Sequence, residues 1–185
     1  MAFLLISLIP AWGQVRYGLK AGIVSSDTTD FRTTTGTGFM FGGTCTSQFS
    51  DRFAFQWEVL ISKRGGSEHG IPLPGGEGGP VPDRDPALTY VELPLSFRYR
   101  FGGTDGWHSI LYGGAFYSLK INGDMVWPAA KSSDAGLLAG WELGRTSASG
   151  RTWYLDIRFA SGLVDTVEDH DSKSRSIFGT VGVRF

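Results

Sequence analysis

The stretch from Thr89 to Phe101, TYVELPLSFRYRF, restricts the fold more than any other part of the chain. Every second residue from Val91 is apolar or aromatic: Val91, Leu93, Leu95, Phe97, Tyr99 and Phe101. The residues between them are Tyr90, Glu92, Pro94, Ser96, Arg98 and Arg100. Successive side chains of a strand point to opposite faces, so strict alternation predicts a β-strand with one apolar and one charged face. Strands of soluble sheets usually hold about 5–6 residues. This one is about twice as long and matches the roughly 9–11 residues that a strand needs to cross a bilayer. Its apolar face therefore meets either a protein core or lipid.

Seven further segments alternate in the same way, and no segment beyond residue 14 has a helical period. They run over Val15–Val24, Gly38–Phe49, Phe53–Lys63, Ile110–Lys120, Asp134–Leu143, Trp153–Gly162 and Ser176–Phe185. The register of Ile110–Lys120 is ambiguous, because apolar residues fall on both of its faces. The 27 glycines and 14% aromatic residues suit an all-β chain with many turns and close strand contacts. Mean hydropathy is −0.06. Alternating strands produce such a value whether or not they cross a membrane.

The connections alternate as well. SDR, GGTDGWHS and GRTSASGR are short, whereas Ser25–Thr37, Gly65–Ala87, Ile121–Ser133 and Leu163–Arg175 are longer. A meander with short turns at one end and long loops at the other is the pattern of an outer-membrane barrel. The predicted fold is an all-β, eight-stranded, antiparallel, up-and-down transmembrane barrel over residues 14–185. The preceding residues 1–13, MAFLLISLIPAWG, read as a signal peptide whose start is truncated, since the positive n-region is missing. Export follows, and the single Cys45 offers no internal disulfide. A net charge of −1 gives no sign of nucleic acid as a partner.

A soluble lipocalin-like barrel would turn the apolar face inward around a ligand, whereas a membrane barrel turns it outward. The minority face collects Arg16, Lys20, Glu58, Glu92, Arg98, Arg100, Glu142, Asp156, Arg158 and Arg184, together with many glycines. An eight-stranded membrane barrel is only wide enough inside for side chains, so charges there have to pair. These ten residues are the expected lumen ion-pair network. Aromatic residues near strand ends (Tyr17, Phe53, Tyr99, Phe101, Trp153 and Phe185) suit an interfacial girdle. The terminal strand FGTVGVRF closes on Phe185, which resembles the C-terminal assembly signal of outer-membrane barrels.

The segments YGLKAGI, FQWEVLISKRG, YVELPLSFRYRF, LYGGAFYSLKI, DAGLLAGWELG and LDIRFASGLVD, in this order and spacing, resemble the Bacteroidetes porin family, or PorT-like, outer-membrane β-barrel proteins. These are eight-stranded and OmpA-like in size, and the resemblance covers nearly all of residues 14–185. It implies the outer membrane of a Gram-negative bacterium. Its implied partners are outer-membrane lipid, lipopolysaccharide, the barrel-assembly machinery and other envelope or secretion proteins. It assigns no activity, because most members have no assigned role, and the named PorT branch is associated with protein secretion.

No catalytic constellation emerges, so the chain is expected not to be an enzyme and to need no cofactor. His69 and His170 fall in long loops and His108 in a short turn, and all three read as surface histidines. His170, beside Asp169 and Ser172, is the only local candidate for rim catalysis. Asp165, Glu168, Asp169 and Asp171 form an acidic loop cluster and a weak metal candidate, because the glycine of a Ca²⁺-binding loop is absent. GGEGG lacks the Lys–Ser/Thr of a phosphate-binding loop. The reading that remains is a structural or interaction barrel acting through its long external loops, with a small passive channel as the alternative.

Overall fold

The computed structural model describes residues 14–28, 36–64, 88–103, 106–122, 133–163 and 174–185. Eight strands succeed one another: β1 (Gln14–Thr28), β2 (Gly36–Gln48), β3 (Phe53–Arg64), β4 (Leu88–Gly102), β5 (Gly106–Asn122), β6 (Ser133–Thr146), β7 (Thr152–Gly162) and β8 (Ser174–Arg184). Each pairs antiparallel with the next, and β8 returns to β1, so the sheet closes into a barrel without edges. Closure leaves no sheet edge of unpaired backbone groups, which a sheet in lipid requires.

The alternation places the side chains as the sequence implies. On β4, Glu92, Pro94, Ser96 and Arg98 are buried in the lumen, while Leu93, Leu95, Phe97 and Phe101 are exposed on the wall. Leu19, Ile23, Val59, Leu137, Leu155, Ile157 and Val181 are each more than half exposed. An apolar surface continuous around a barrel is far larger than a soluble monomer carries, and lipid is the solvent that it fits. The lipocalin-like alternative is thereby excluded, since its exposed face would be the charged one.

Several boundaries move. β1 continues to Thr28 and β2 starts at Gly36, so the first long connection shortens to residues 29–35. β5 begins at Gly106 and takes in Trp107, His108 and Ser109, which had read as turn. The register of β5 is also settled: Ile110, Tyr112 and Phe116 point inward, and Leu111, Tyr117 and Leu119 point outward. Both faces of this strand are apolar, so alternation could not assign them.

Inward-facing rings are accommodated by glycines across the strand. Tyr112 lies opposite Gly140, and Tyr154 lies opposite Gly182. A Cβ at either glycine would overlap the tyrosine ring beside it. In β4, Pro94 has no N–H to give, and the β3–β4 ladder is interrupted there, between Trp57↔Leu95 and Leu60↔Glu92.

Aromatic residues ring the short-turn end. Phe53 and Tyr99 have centroids 5.0 Å apart, and Tyr99 and Phe101 are 4.6 Å apart. Phe49, Phe55 and Phe97 extend the cluster. Trp107 and Trp153 flank Arg145 on the neighbouring strands. Phe185 is exposed on this rim, and its N–H donates to the Tyr17 carbonyl at 2.8 Å. Cys45 is on the outward-facing register of β2 but is buried, lying between Tyr17 and Trp57. Residues 1–13, read as a signal peptide, lie outside the described residues.

Candidate functional site

The lumen is filled in tiers. Across the middle lies a closed ionic cluster drawn from β1, β3 and β7. Lys20 Nζ sits 2.8 Å from Asp156 Oδ2 and 3.3 Å from Glu58 Oε2. Arg158 Nη2 donates to both oxygens of Glu58, at 2.7 and 2.8 Å. The remaining acceptor sites are met by neutral groups. The Tyr112 hydroxyl donates to Asp156 Oδ1, and Thr180 Oγ1 donates to Oδ2 at 3.1 Å. Gln56 Nε2 donates to Glu58 Oε1 at 2.6 Å and is itself held by Thr46 through a 2.8 Å bond to Oε1. Two cations thus face two carboxylates, and all four side chains are at most 2% exposed. Alternation brings them inward, and the strand registers bring them to one height. This burial is tolerable because charge and hydrogen bonding are both satisfied.

Above this cluster, toward the long loops, the lumen is apolar. Val24, Met40, Leu60, Phe116, Leu138 and Phe178 are buried against one another, with Tyr112 and Ala160 at their margin. A smaller polar tier follows: Arg64 Nη2 is 2.6 Å from Glu92 Oε1, which also accepts from Ser62 Oγ at 2.5 Å. Ser174 Oγ donates to Asp134 Oδ2 at 2.6 Å.

Below the central cluster, toward the short turns, Glu142 Oε2 accepts from both Arg98 and Arg184. The guanidinium of Arg98 stands 4.8 Å from the Tyr112 ring, and that of Arg184 stands 4.3 Å from the Tyr154 ring. Both distances are within cation–π range. Arg16 and Arg100 also face inward here, half-buried.

Of the ten residues expected to form an ion-pair network, Lys20, Glu58, Glu92, Arg98, Glu142, Asp156, Arg158 and Arg184 make ion pairs. Arg16 and Arg100 depart from the expectation: among the described residues neither has an acidic partner within salt-bridge distance, and the Glu142 carboxylate is already shared by Arg98 and Arg184. The partner of Glu92 is Arg64, which was not among the ten. Arg64 has the same inward parity as Glu58, but it lies one residue past the expected strand end.

The surface reading of His108 is corrected. Its side chain is buried inside β5, because Gly144 opposite leaves room for the ring. His69, His170, Ser172 and the acidic cluster Asp165, Glu168, Asp169 and Asp171 lie outside the described residues. Among the described residues, no group of three or more His, Cys, Asp or Glu is placed to hold a metal ion.

Comparison with known proteins agrees with this architecture. OprG, an outer membrane protein of Pseudomonas aeruginosa, superposes with a TM-score of 0.57 at 11% identity, over 94% of this chain and 97% of its own. Neisserial surface protein A gives 0.56 at 13% identity, over 91% and 95%. Ail, the attachment invasion locus protein of Yersinia pestis, gives 0.53 at 14% identity, over 93% and 99%, in a complex with the heparin analogue sucrose octasulfate. At these identities the likeness shows the shared fold. No curated protein matches the chain in sequence. The profile of the outer membrane protein β-barrel domain matches residues 11–168, so the chain belongs to that family and is a protein of the outer membrane.

Proposed function

We propose that this protein is a closed, non-enzymatic barrel that acts through its external loops, by binding components of the envelope or of the cell's surroundings. The observation that carries this reading is the filled lumen. An apolar layer from Val24 to Phe178 lies directly on the charge-balanced Lys20–Glu58–Asp156–Arg158 cluster. Ions and polar solutes need a continuous polar path to cross a narrow barrel, and this layer interrupts it. The passive-channel alternative loses its support for the same reason.

The chemistry available at the other face is that of the four long connections. Residues 65–87 hold four carboxylates and one arginine, and residues 164–173 hold four carboxylates and one lysine. Residues 29–35 and 123–132 each hold one acid and one base. A net acidic loop set favours cationic ligands, or anionic ones reached through divalent cations. Lipopolysaccharide bridged by Ca²⁺ or Mg²⁺ is the ligand that fits a barrel seated among such molecules. Ail was crystallised with a heparin analogue. The acid-rich loops here make a direct heparin-like ligand the poorer match. The six-segment resemblance noted above supports a place in the PorT-like branch, and with it a role beside envelope or secretion proteins.

The test is binding of purified lipopolysaccharide to the barrel in phospholipid nanodiscs, with Ca²⁺ or with chelator. The intact protein should bind in Ca²⁺ only. A variant with residues 164–173 replaced by a short Gly/Ser connection should remain folded, as judged by heat-dependent gel mobility, and should lose most of the binding. Equal binding by the two proteins would overturn the loop assignment.

A further inference from the structure

At the short-turn end five arginines converge on one hollow of about 20 Å³: Arg16 from β1, Arg52 from the β2–β3 turn, Arg98 and Arg100 from β4, and Arg184 from β8. Among the described residues the only carboxylate lining the hollow is Asp51, and Glu142 lies just behind, shared by Arg98 and Arg184. Among the described residues, five positive charges against two negative ones leave an excess of three at this mouth. Little of the donor capacity is used. Arg16 reaches Gln14 Oε1 at 3.3 Å, and Arg52 reaches the Tyr99 hydroxyl at 3.4 Å. The Nε atoms of Arg98 and Arg184 are buried without any hydrogen-bond partner, on side chains that line the hollow and are at least nine-tenths buried.

Barrels of the outer membrane place their short turns in the periplasm. From this cluster we infer that the periplasmic mouth is a binding site for a phosphate group, free or as the terminal monoester of a larger molecule. Guanidinium forks match the oxygens of phosphate in paired hydrogen bonds. A dianion would lower the excess of three to one and supply acceptors for donors that now have none. The central tier has no need of such a ligand, because its charges already cancel.

The experiment uses the full barrel, refolded in maltoside micelles so that no phosphocholine detergent competes. Inorganic phosphate and glycerol 3-phosphate are titrated separately at constant ionic strength, with isothermal calorimetry and thermal unfolding as readouts. The expected result is saturable binding, and a midpoint that rises with ligand because binding stabilises the folded state. The double variant Arg16→Gln/Arg100→Gln should bind about a hundredfold more weakly, given what two charge-assisted hydrogen bonds contribute. Among the described residues neither has an ion-pair partner to abandon, so the variant should still fold; if it does not, each single variant should show about a tenfold loss. Binding of both ligands means that the mouth accepts a phosphate group on a larger molecule. Binding of inorganic phosphate alone means that the free anion is the ligand. No saturable binding of either, or equal binding by wild type and variant, would overturn the site.

Discussion

The central and lower tiers of the lumen use the same residue types to opposite effect. In the centre, Lys20 and Arg158 face Glu58 and Asp156, and Tyr112, Thr180 and Gln56 complete the coordination. At the lower mouth, Arg98 and Arg184 share one carboxylate oxygen of Glu142, and Arg16, Arg52 and Arg100 bring further positive charge. The first arrangement ties β1, β3 and β7 together across the barrel and leaves nothing to bind. The second keeps charge unspent at a surface. Buried charge therefore has two roles here: where it balances it holds the wall closed, and where it does not it is available for a ligand.

The contrast can be broken most sharply in the centre. Arg158→Ala should leave Glu58 facing Lys20 alone and should cost about 3–5 kcal/mol, read from denaturant unfolding in lipid. A loss below about 1 kcal/mol would mean that the cluster is not the tie described here. One position away, Ile157→Arg puts the same side chain on the outer wall. It should cost about 2–4 kcal/mol if this strand height lies near the bilayer midplane, by the same measurement. A neutral result would place that strand height at the interface or in water and not in the hydrocarbon core.

Gly140→Val tests the packing that lets the central tier close, since its side chain meets the Tyr112 ring. Overpacking of that kind costs about 1–3 kcal/mol. Gly43→Ala, on the outer side, would bring its Cβ no nearer than 4.0 Å to the Gly18 carbonyl oxygen and should be nearly silent in the same assay. The smallest effect belongs to the lower mouth. Arg16→Gln without phosphate should change stability by no more than about 0.5 kcal/mol, since it breaks no ion pair among the described residues. A loss as large as that of Arg158→Ala would make the two tiers equivalent and remove the comparison.

The wall and the strand order were legible in the sequence because alternation is local and repeats eight times. Most of the charged lumen followed from the same parity, as Glu58, Asp156 and Arg158 show. Three parts did not. Arg64 lay beyond an expected strand end, and the boundary rather than the parity hid it. Leu60, Met40 and Phe178 face inward among charges; when faces are sorted by charge, such residues count as exceptions, and only the register shows that they form a layer. His108 looked like turn because GGTDG precedes it, and its burial depends on Gly144 of the next strand, a pairing that no local pattern contains. Which acid takes which base also depends on register, and for that reason Arg16 and Arg100 could not be told from Arg98 and Arg184.

The claim on which the rest depends is that the lumen is shut. Single-channel recording in planar bilayers tests it directly, with the intact barrel compared with Leu60→Ala/Phe178→Ala, which thins the apolar layer. The account predicts no resolvable steps from the intact protein, and any conductance only in the double variant. Regular, ion-selective steps from the intact barrel, unchanged by the double substitution, would contradict it.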